Sequence, residues 1–286
     1  MYLYNKAQAD YKTMKHKLIS TQSSEILSHF HALGQNWFDS SEALAALPHS
    51  SPGAVNELLS DMVRRGLLLR LKQSLYCIIP YDQDPETFMP DWHLLAEPLS
   101  NGTKHYIGYY SALQIHQLIT QPSLKEQIVV AQQIKPSHLK IKDVHFQFIY
   151  HNEQHFFGSK KIWIDAYHKV WCSDLEKTLV DCAFKPEYAG GIVEVAKALA
   201  LAKDRIDFDK LIDYTLQFNS QAVIKRLGFI LETLNLDRGT IRLLQKLKTN
   251  SYVLLDTELP KTGKRLSRWS IQQNLETETI QSALFT

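Results

Sequence analysis

Cysteine is scarce in this sequence of 286 residues, which holds Cys77, Cys172 and Cys182 and no C-x-x-C pair. An odd number of widely spaced cysteines argues against a disulfide framework, and the missing pair argues against a zinc ribbon. We therefore expect three reduced thiols, which are typical of a protein that works in the cytoplasm.

Long apolar runs are also missing. No stretch approaches the roughly 18 apolar residues that indicate a membrane-spanning helix. Residues 1–17 are polar and lack the apolar region of a secretory signal. These two observations lead us to expect a cytoplasmic location and no membrane partner.

Signatures of common active sites are absent as well. The sequence contains no G-x-x-x-x-G-K-[ST] loop, no G-x-S-x-G elbow and no G-x-G-x-x-G fingerprint. His145, His151 and His155 lie close together, but without H-E-x-x-H spacing, so packing or surface roles are favoured. Residues 137–140 and 261–263 match the S-x-x-K and K-T-G parts of a β-lactamase signature whose S-D-N part is missing. We expect no enzymatic activity, no cofactor and no metal site.

Charge is nearly balanced, with 32 Lys and Arg against 30 Asp and Glu, a net charge of +2. This balance does not by itself indicate a nucleic-acid partner, because nucleic-acid-binding domains often exceed a pI of about 9. Binding to DNA would have to use locally concentrated positive charge. The length and the 44% share of hydrophobic residues predict about two globular domains.

Residues 23–80 carry the clearest pattern of local structure. Apolar residues at helical spacing predict three helices, and two apolar runs around a short polar turn predict a β-hairpin. The expected elements are a helix at 25–33 capped by Ser23 or Ser24, an apolar linker at 37–38, a helix at 42–47 capped by Ser40 or Ser41, a helix at 52–65, and strands at 67–71 and 75–79. This order is that of a winged helix-turn-helix.

The remainder of the chain predicts a larger second domain. Prolines 80, 85, 90 and 98 indicate a linker. Strand patterns at 127–131 and 144–150 precede helical patterns between 174 and 247, which favours an α+β fold. The predicted organisation is a polar N-terminal arm at 1–22, a winged helix-turn-helix DNA-binding domain at 23–80, a linker at 81–101 and an α+β domain at 102–286.

The helix at 52–65 is the candidate for DNA recognition. In a helix-turn-helix the second helix of the pair enters the major groove with its N-terminal residues first. Small residues there permit close approach to the bases, and Asn56 is suited to adenine. The alternative is an ordinary amphipathic core helix with a solvated face. The predicted DNA-binding residues are Ser50, Ser51, Gly53, Asn56, Arg64, Arg65, Arg70, Lys72 and Gln73.

A second concentration of positive charge lies between residues 238 and 268. Its basic residues outnumber the acidic residues Asp256 and Glu258 by eight to two, which gives +6. This segment predicts either a second electropositive surface for DNA, RNA or an acidic protein, or a solvated face. The residues of the predicted surface are Arg238, Arg242, Lys246, Lys248, Lys261, Lys264, Arg265 and Arg268.

Five segments, in this order, resemble the AbiEi antitoxin family. They are Tyr106–Leu113 (YIGYYSAL), Leu175–Asp181 (LEKTLVD), Pro186–Glu194 (PEYAGGIVE) with Lys197–Leu199 after it, Arg226–Glu232 (RLGFILE), and Arg268–Ile271 (RWSI) with Asn274. The likeness extends from about residue 24 to residue 274. The sequence departs from the family in its long polar N-terminal arm and at His116-Gln117, where a His-Gly pair is expected.

The resemblance implies a cytoplasmic transcription factor that represses its own operon. It also implies an antitoxin domain that counters a nucleotidyltransferase-like toxin of the AbiEii type, directly or functionally. Repression would use inverted operator repeats in double-stranded DNA, with two copies of the protein dimerising on it or meeting there. Within the resembling segments, structural roles are favoured, such as a Gly190-Gly191 turn before a helix and a contact between Arg226 and Glu232.

Two other functions fit the same pattern of elements. A ligand-sensing winged-helix regulator would use the second domain to bind a small molecule that releases the operator. An enzyme would use the winged helix only to contact another protein. Neither alternative has a motif of its own in this sequence.

Overall fold

This α+β protein contains both helices and strands, and we describe it from a computed structural model covering residues 19–119 and 121–282. The chain divides into two units, 1–90 and 91–286. Most of the predicted N-terminal arm, residues 1–18, lies outside the described residues, and Thr21 and Gln22 already belong to the first helix.

Within residues 19–90, the described part of the first unit contains three helices and a three-stranded antiparallel sheet. Its elements are α1 (Thr21–Ala32), β1 (Trp37–Asp39), α2 (Ser40–Ala46), α3 (Pro52–Arg64), β2 (Leu68–Lys72) and β3 (Leu75–Ile78). The strand order is β1-β3-β2. The three predicted helices and the predicted hairpin are present, and α3 ends within one residue of its predicted boundary.

The predicted apolar linker at residues 37–38 is instead strand β1. Trp37 pairs with Cys77, and Phe38 with Tyr76, across the sheet. Phe38 is fully buried and its ring stacks on Phe30 with centroids 4.1 Å apart. A strand of three residues is too short to show an alternating pattern, so its apolar residues read as a linker.

The caps of the first two helices differ from those predicted. Ser20 caps α1 by accepting the Ser23 N–H at 3.3 Å. Asp39 caps α2, and the Asp39 N–H donates to the Glu42 carboxylate at 2.7 Å, which completes a capping box. The first helix therefore begins at Thr21 and not at residue 25, and the second begins at Ser40 and not at residue 42.

The second unit is larger and combines sheets with a helical layer. Its elements are α4 (Ala96–Leu99), β4 (His105–Ile107), α5 (Tyr109–Ile115), β5 (Lys125–Val130), β6 (His138–Ile141), β7 (Val144–Tyr150), β8 (Ser159–Trp163), β9 (Lys169–Ser173), α6 (Leu175–Phe184), a 3₁₀ turn (Pro186–Tyr188), α7 (Ile192–Ala202), α8 (Phe208–Phe218), α9 (Gln221–Thr233), α10 (Arg238–Leu247), β10 (Val253–Leu254), β11 (Lys264–Leu266), β12 (Ile271–Gln273) and α11 (Thr277–Ser282).

The main sheet of this unit has six strands in the order β6-β7-β5-β4-β9-β8. Parallel pairs β5–β7 and β4–β9 alternate with antiparallel pairs, and β8 and β9 form a hairpin. Strands β10, β12 and β11 form a separate small sheet. Helices α6 to α9 supply much of a core that also includes Tyr106, Tyr109 and Trp269.

The linker predicted at 81–101 is shorter than expected. Residues 91–101 belong to the second unit. Within them Leu95, Ala96 and Leu99 are buried, and α4 contains Pro98. The four prolines indicated an unstructured connection, but burial of these apolar side chains stabilises a short helix around the last of them.

Glycines 190 and 191 form the turn before α7 that the sequence predicted. Their φ angles are +82° and +88°, a region that L-residues with side chains rarely adopt. The Ile192 N–H donates to Asp256 Oδ2 at 2.8 Å. A buried carboxylate therefore caps α7, and a side chain at Gly191 would collide with it, since its Cβ would lie 2.9 Å from Asp256 Oδ2.

Close packing at Gly228 leads to a stability prediction. A Cβ at Gly228 would lie 2.0 Å from Cζ3 of Trp269, whose ring is buried and held by a 2.8 Å bond to Glu232. We expect Gly228→Ala to lower the free energy of unfolding by about 1–3 kcal/mol through overpacking. Gly53→Ala, on another helix, would place a Cβ in ordinary contact with Ser51 Oγ at 4.0 Å and is expected to be neutral or slightly stabilising. Chemical denaturation of both variants checks this, and equal stability of the two would contradict it.

All three cysteines are free and buried. Burial raises the pKa of Cys77 to about 12 and those of Cys172 and Cys182 well above their ordinary value. Cys77 lies in the first unit, and the other two lie in the second. The sequence-based expectation of unpaired thiols therefore agrees with the structure.

Candidate nucleic-acid interface

Helix α3 presents a sharply divided surface. Val55, Leu59 and Met62 are buried against the core of the first unit. The opposite face exposes Gly53, Asn56 and Glu57 near the N-terminus. A shallow depression of about 410 Å³ runs along this face, lined by Asn56, Glu57, Ser60, Asp61 and Arg64. The predicted leading residues are therefore accessible to a large partner.

The N-terminus of α3 is built from the residues that the sequence indicated. Ser51 caps the helix by accepting the Ala54 N–H at 3.2 Å, and Pro52 occupies the first helical position. Ser50 is half-buried, and its N–H donates to the carbonyl of Leu47 at 3.0 Å. The Ser51 hydroxyl thus has a structural role, while the small side chains beside it leave room for close approach.

The basic residues at the C-terminal end of α3 have an acidic partner, Asp61. It forms ion pairs with both Arg64 and Arg65. Arg64 still exposes 80% of its side chain. The side chain of Arg65 is only 20% exposed and donates to the hydroxyl of Ser23 on α1 at 2.8 Å. Arg65, predicted as a DNA contact, also links the C-terminal end of α3 to α1.

The hairpin β2–β3 carries the other predicted contacts. Arg70 is exposed and lies over the Tyr76 ring, with its guanidinium carbon 5.8 Å from the ring centroid. Lys72 is half-buried, and burial lowers its pKa. Gln73 is exposed at the tip, where Ser74 adopts a φ of +61° in a two-residue turn. The tip is therefore compact, with Arg70, Gln73 and Ser74 exposed.

Two acidic residues of this face, Glu57 and Asp61, are not among the predicted DNA-binding residues. Glu57 is exposed between Gly53 and Ser60, and a glutamate can accept a hydrogen bond from cytosine N4. Asp61 precedes Arg64 and Arg65 by three and four residues, which is the spacing of ion pairs on a helix. That spacing is readable in the sequence and would have identified the pair.

The predicted second basic surface divides by environment. Arg238, Arg242 and Lys246 are exposed on α10 at four-residue spacing, so they form one stripe of the helix. Lys261, Lys264 and Arg265 are exposed on β11 and the loop before it, and Arg265 lies over the Tyr252 ring.

Two members of that predicted surface have partners within the unit. Arg268 forms a bidentate ion pair with Glu232. Glu232 lies before residue 238, so the net charge of +6 for residues 238–268 does not include it. Lys248 donates to the Ser270 hydroxyl at 3.2 Å. Arg226, expected to contact Glu232, instead donates to the carbonyls of Ala183, Phe184 and Leu254. The Arg268–Glu232 ion pair therefore makes the net charge available at this segment smaller than +6.

Two of the AbiEi-like segments meet in a buried polar cluster of the second unit. Lys177 forms an ion pair with Asp181, and both side chains are fully buried. The Tyr106 hydroxyl donates to Asp181 Oδ2 at 3.0 Å and lies 3.0 Å from Lys177 Nζ. Tyr109 reaches the cluster through His151, with its hydroxyl 2.8 Å from Nε2. The cluster therefore joins α6 to strand β4 and to the start of α5.

Electrostatics in this cluster follow from burial. Burial lowers the pKa of Lys177, although Asp181 counteracts the effect, and burial lowers the pKa of His151 to about 4. His155 stacks on Phe218 with ring centroids 3.8 Å apart. The two histidines pack within the unit, and no group of three metal-ligating side chains converges anywhere in residues 19–119 and 121–282.

Helices of the described ranges are all too short or too polar to cross a bilayer. No family model and no curated protein matches the chain. Among solved structures, the chain resembles the crystal structure of the RV2827C protein from Mycobacterium tuberculosis, at 14% sequence identity and a TM-score of 0.71. The likeness covers 94% of this chain and 97% of that one. At such identity it shows a shared fold across both units and nothing about activity.

Proposed function

We propose that this protein is a cytoplasmic DNA-binding repressor of its own operon and an antitoxin of the AbiE type, with a winged helix-turn-helix as its first unit. The observation that carries the proposal is α3, whose accessible N-terminal face carries Gly53 and Asn56 and is followed by the basic hairpin β2–β3. A helix of this kind docks in the major groove, and the hairpin contacts the adjoining backbone.

The second unit supports the antitoxin part of the proposal through the AbiEi resemblance. Tyr106, Tyr109, Lys177 and Asp181, which belong to two of the resembling segments, contact one another or share His151 in one buried cluster. These residues of the resembling segments therefore share one structural role, which is to form the buried polar cluster. We propose that the unit counters a nucleotidyltransferase-like toxin encoded beside this gene, either by contact or by opposing its activity.

The proposal is tested with the DNA upstream of the gene. Fluorescence anisotropy should show tighter binding to this duplex than to a scrambled one of equal length, by about 1000-fold or more at physiological salt. Two copies should bind per pair of inverted repeats. Equal affinity for both duplexes would contradict repression, and growth arrest unrelieved by co-expression of this chain with the neighbouring gene would contradict the antitoxin role.

Asn56 provides a test of base recognition. We expect Asn56→Ala to weaken operator binding by about 1–3 kcal/mol and to relax the preference for one base pair, since asparagine pairs bidentately with adenine. Ser60→Ala, one turn further along the same exposed face, is the matched control. Affinity measured on operators substituted one base pair at a time checks the result. An unchanged preference at every position would contradict major-groove contact by Asn56.

A further inference from the structure

The hairpin β8–β9, at one edge of the six-stranded sheet, exposes an alternating arrangement of tryptophan and lysine. Lys161 lies opposite Trp171, and Trp163 lies opposite Lys169. Residues two apart on a strand share a face, so these four side chains lie on one side of the hairpin. We call this surface, formed by Lys161, Trp163, Lys169 and Trp171, the Trp–Lys face.

The indole rings of the Trp–Lys face are unusually accessible. Trp163 is 58% exposed and Trp171 is 42% exposed, whereas Trp269 is buried. Tyr167, in the loop between the two strands, is 85% exposed. Exposed aromatic groups of this size cost free energy in water, so a cluster of them indicates a binding surface more than a structural one.

Positive charge accompanies each ring. Lys169 Nζ lies 4.2 Å from the centroid of the Trp163 ring, and Lys161 Nζ lies 5.8 Å from that of Trp171. Lys160, on the neighbouring strand position, is also exposed. The carboxylate of Asp165 in the loop is already bonded to His168 and to the Tyr167 N–H. Lys160 faces the other side of the strand, so the Trp–Lys face itself offers two lysines, Lys161 and Lys169, to an anionic partner.

We propose that the Trp–Lys face binds single-stranded nucleic acid, with bases stacked on Trp163 and Trp171 and backbone phosphates held by Lys161 and Lys169. Aromatic rings interleaved with lysines are the chemistry that recognises unpaired bases on a polyanionic backbone. Trp163 and Trp171 are diagonal neighbours across the two β-strands, and such positions lie about 7–8 Å apart along an antiparallel sheet. This spacing suits successive bases of an extended nucleic-acid strand.

Other anionic partners fit this surface less well. Bases within a duplex are already stacked on one another, so a duplex would use the lysines and leave the indole faces unused. An acidic peptide likewise offers carboxylates to the lysines but nothing that stacks on two indoles. The inference concerns a different unit from helix α3 and does not depend on repression of an operon.

The test uses the full chain and single-stranded oligonucleotides of about 12 nucleotides, within the usual range of such sites. Oligo-dT and oligo-rU should quench tryptophan fluorescence as they bind. Trp163→Ala with Trp171→Ala should weaken binding by about 30-fold or more, since each stacked base contributes about 5-fold or more. Trp163→Tyr with Trp171→Tyr should retain most of the affinity, because tyrosine also stacks. Lys161→Ala with Lys169→Ala should lower the salt dependence.

Controls separate this surface from α3. Arg64→Ala with Arg70→Ala should leave single-strand binding unchanged, and Leu201→Ala with Leu216→Ala should do the same as matched removal of exposed apolar side chains. Failure of the oligonucleotides to bind, equal binding by the double alanine variant at Trp163 and Trp171, or full competition by a polyglutamate peptide would each overturn the proposal. None of these outcomes affects duplex binding by the first unit.

Discussion

Lys177→Met is expected to lower the free energy of unfolding by about 3–5 kcal/mol, because it leaves the carboxylate of Asp181 buried without its counter-charge. Neither side chain of the pair contacts solvent. Tyr106 would still donate one hydrogen bond to Asp181, but a neutral hydroxyl does not replace an ammonium group. Chemical denaturation followed by far-UV circular dichroism measures the loss.

Two further variants separate charge from packing in this prediction. Lys197→Met removes a lysine from the more accessible Lys197–Glu194 pair and is expected to cost less than about 1 kcal/mol. The double variant Lys177→Met with Asp181→Leu should be more stable than Lys177→Met alone, because no unpaired charge remains. Equal free energies of unfolding for Lys177→Met and Lys197→Met would contradict the prediction that the buried Lys177–Asp181 pair is the more costly one to break.

Replacing Arg64, Arg70 and Lys72 together by alanine is expected to weaken operator binding by about 100-fold. It should also reduce the slope of log affinity against log salt by about 2–3, as expected for the loss of up to three phosphate contacts. The three side chains lie on α3 and the hairpin β2–β3, and Arg64 and Arg70 are exposed. Anisotropy titrations at several salt concentrations measure both quantities.

Arg65→Ala is the matched control for this triple variant, since it removes the same charge from the residue next to Arg64. Arg65 pairs with Asp61 and bonds to Ser23. Its loss should therefore lower the free energy of unfolding of the first unit and leave the salt slope of operator binding unchanged. A triple variant with an unchanged slope would show that these cations do not contact phosphates. A slope reduced by Arg65→Ala alone would show that the structural role of this residue was overestimated.

The extent to which sequence predicted this structure is clearest in α3. Pro52 at its start and Gly66 after its end are strong local signals, and both boundaries agree within one residue. The α+β class and most long helices also follow from periodicity. Strand β1 was missed because three residues carry too little pattern, and strand β9 was missed because its exposed face alternates lysine with tryptophan.

Burial of charged residues was the main feature that sequence could not supply. In the sequence Glu176, Lys177 and Asp181 look like the polar face of an amphipathic helix, whose side chains either point outward or pair with one another. In the structure α6 is covered on nearly all sides, with eight consecutive buried residues from Glu176 to Ala183. The elements that bury α6 are far away in the sequence, so no local sequence pattern predicts this burial.

The buried thiols provide an internal reporter of unfolding for each unit. Burial shields the Cys77 thiol and raises its pKa to about 12, so Cys77 reacts with an alkylating reagent mainly when its strand opens. Cys172 and Cys182 report in the same way on the second unit. Labelling rates resolved by mass spectrometry of the fragments would therefore give two separate opening rates from one unmodified chain.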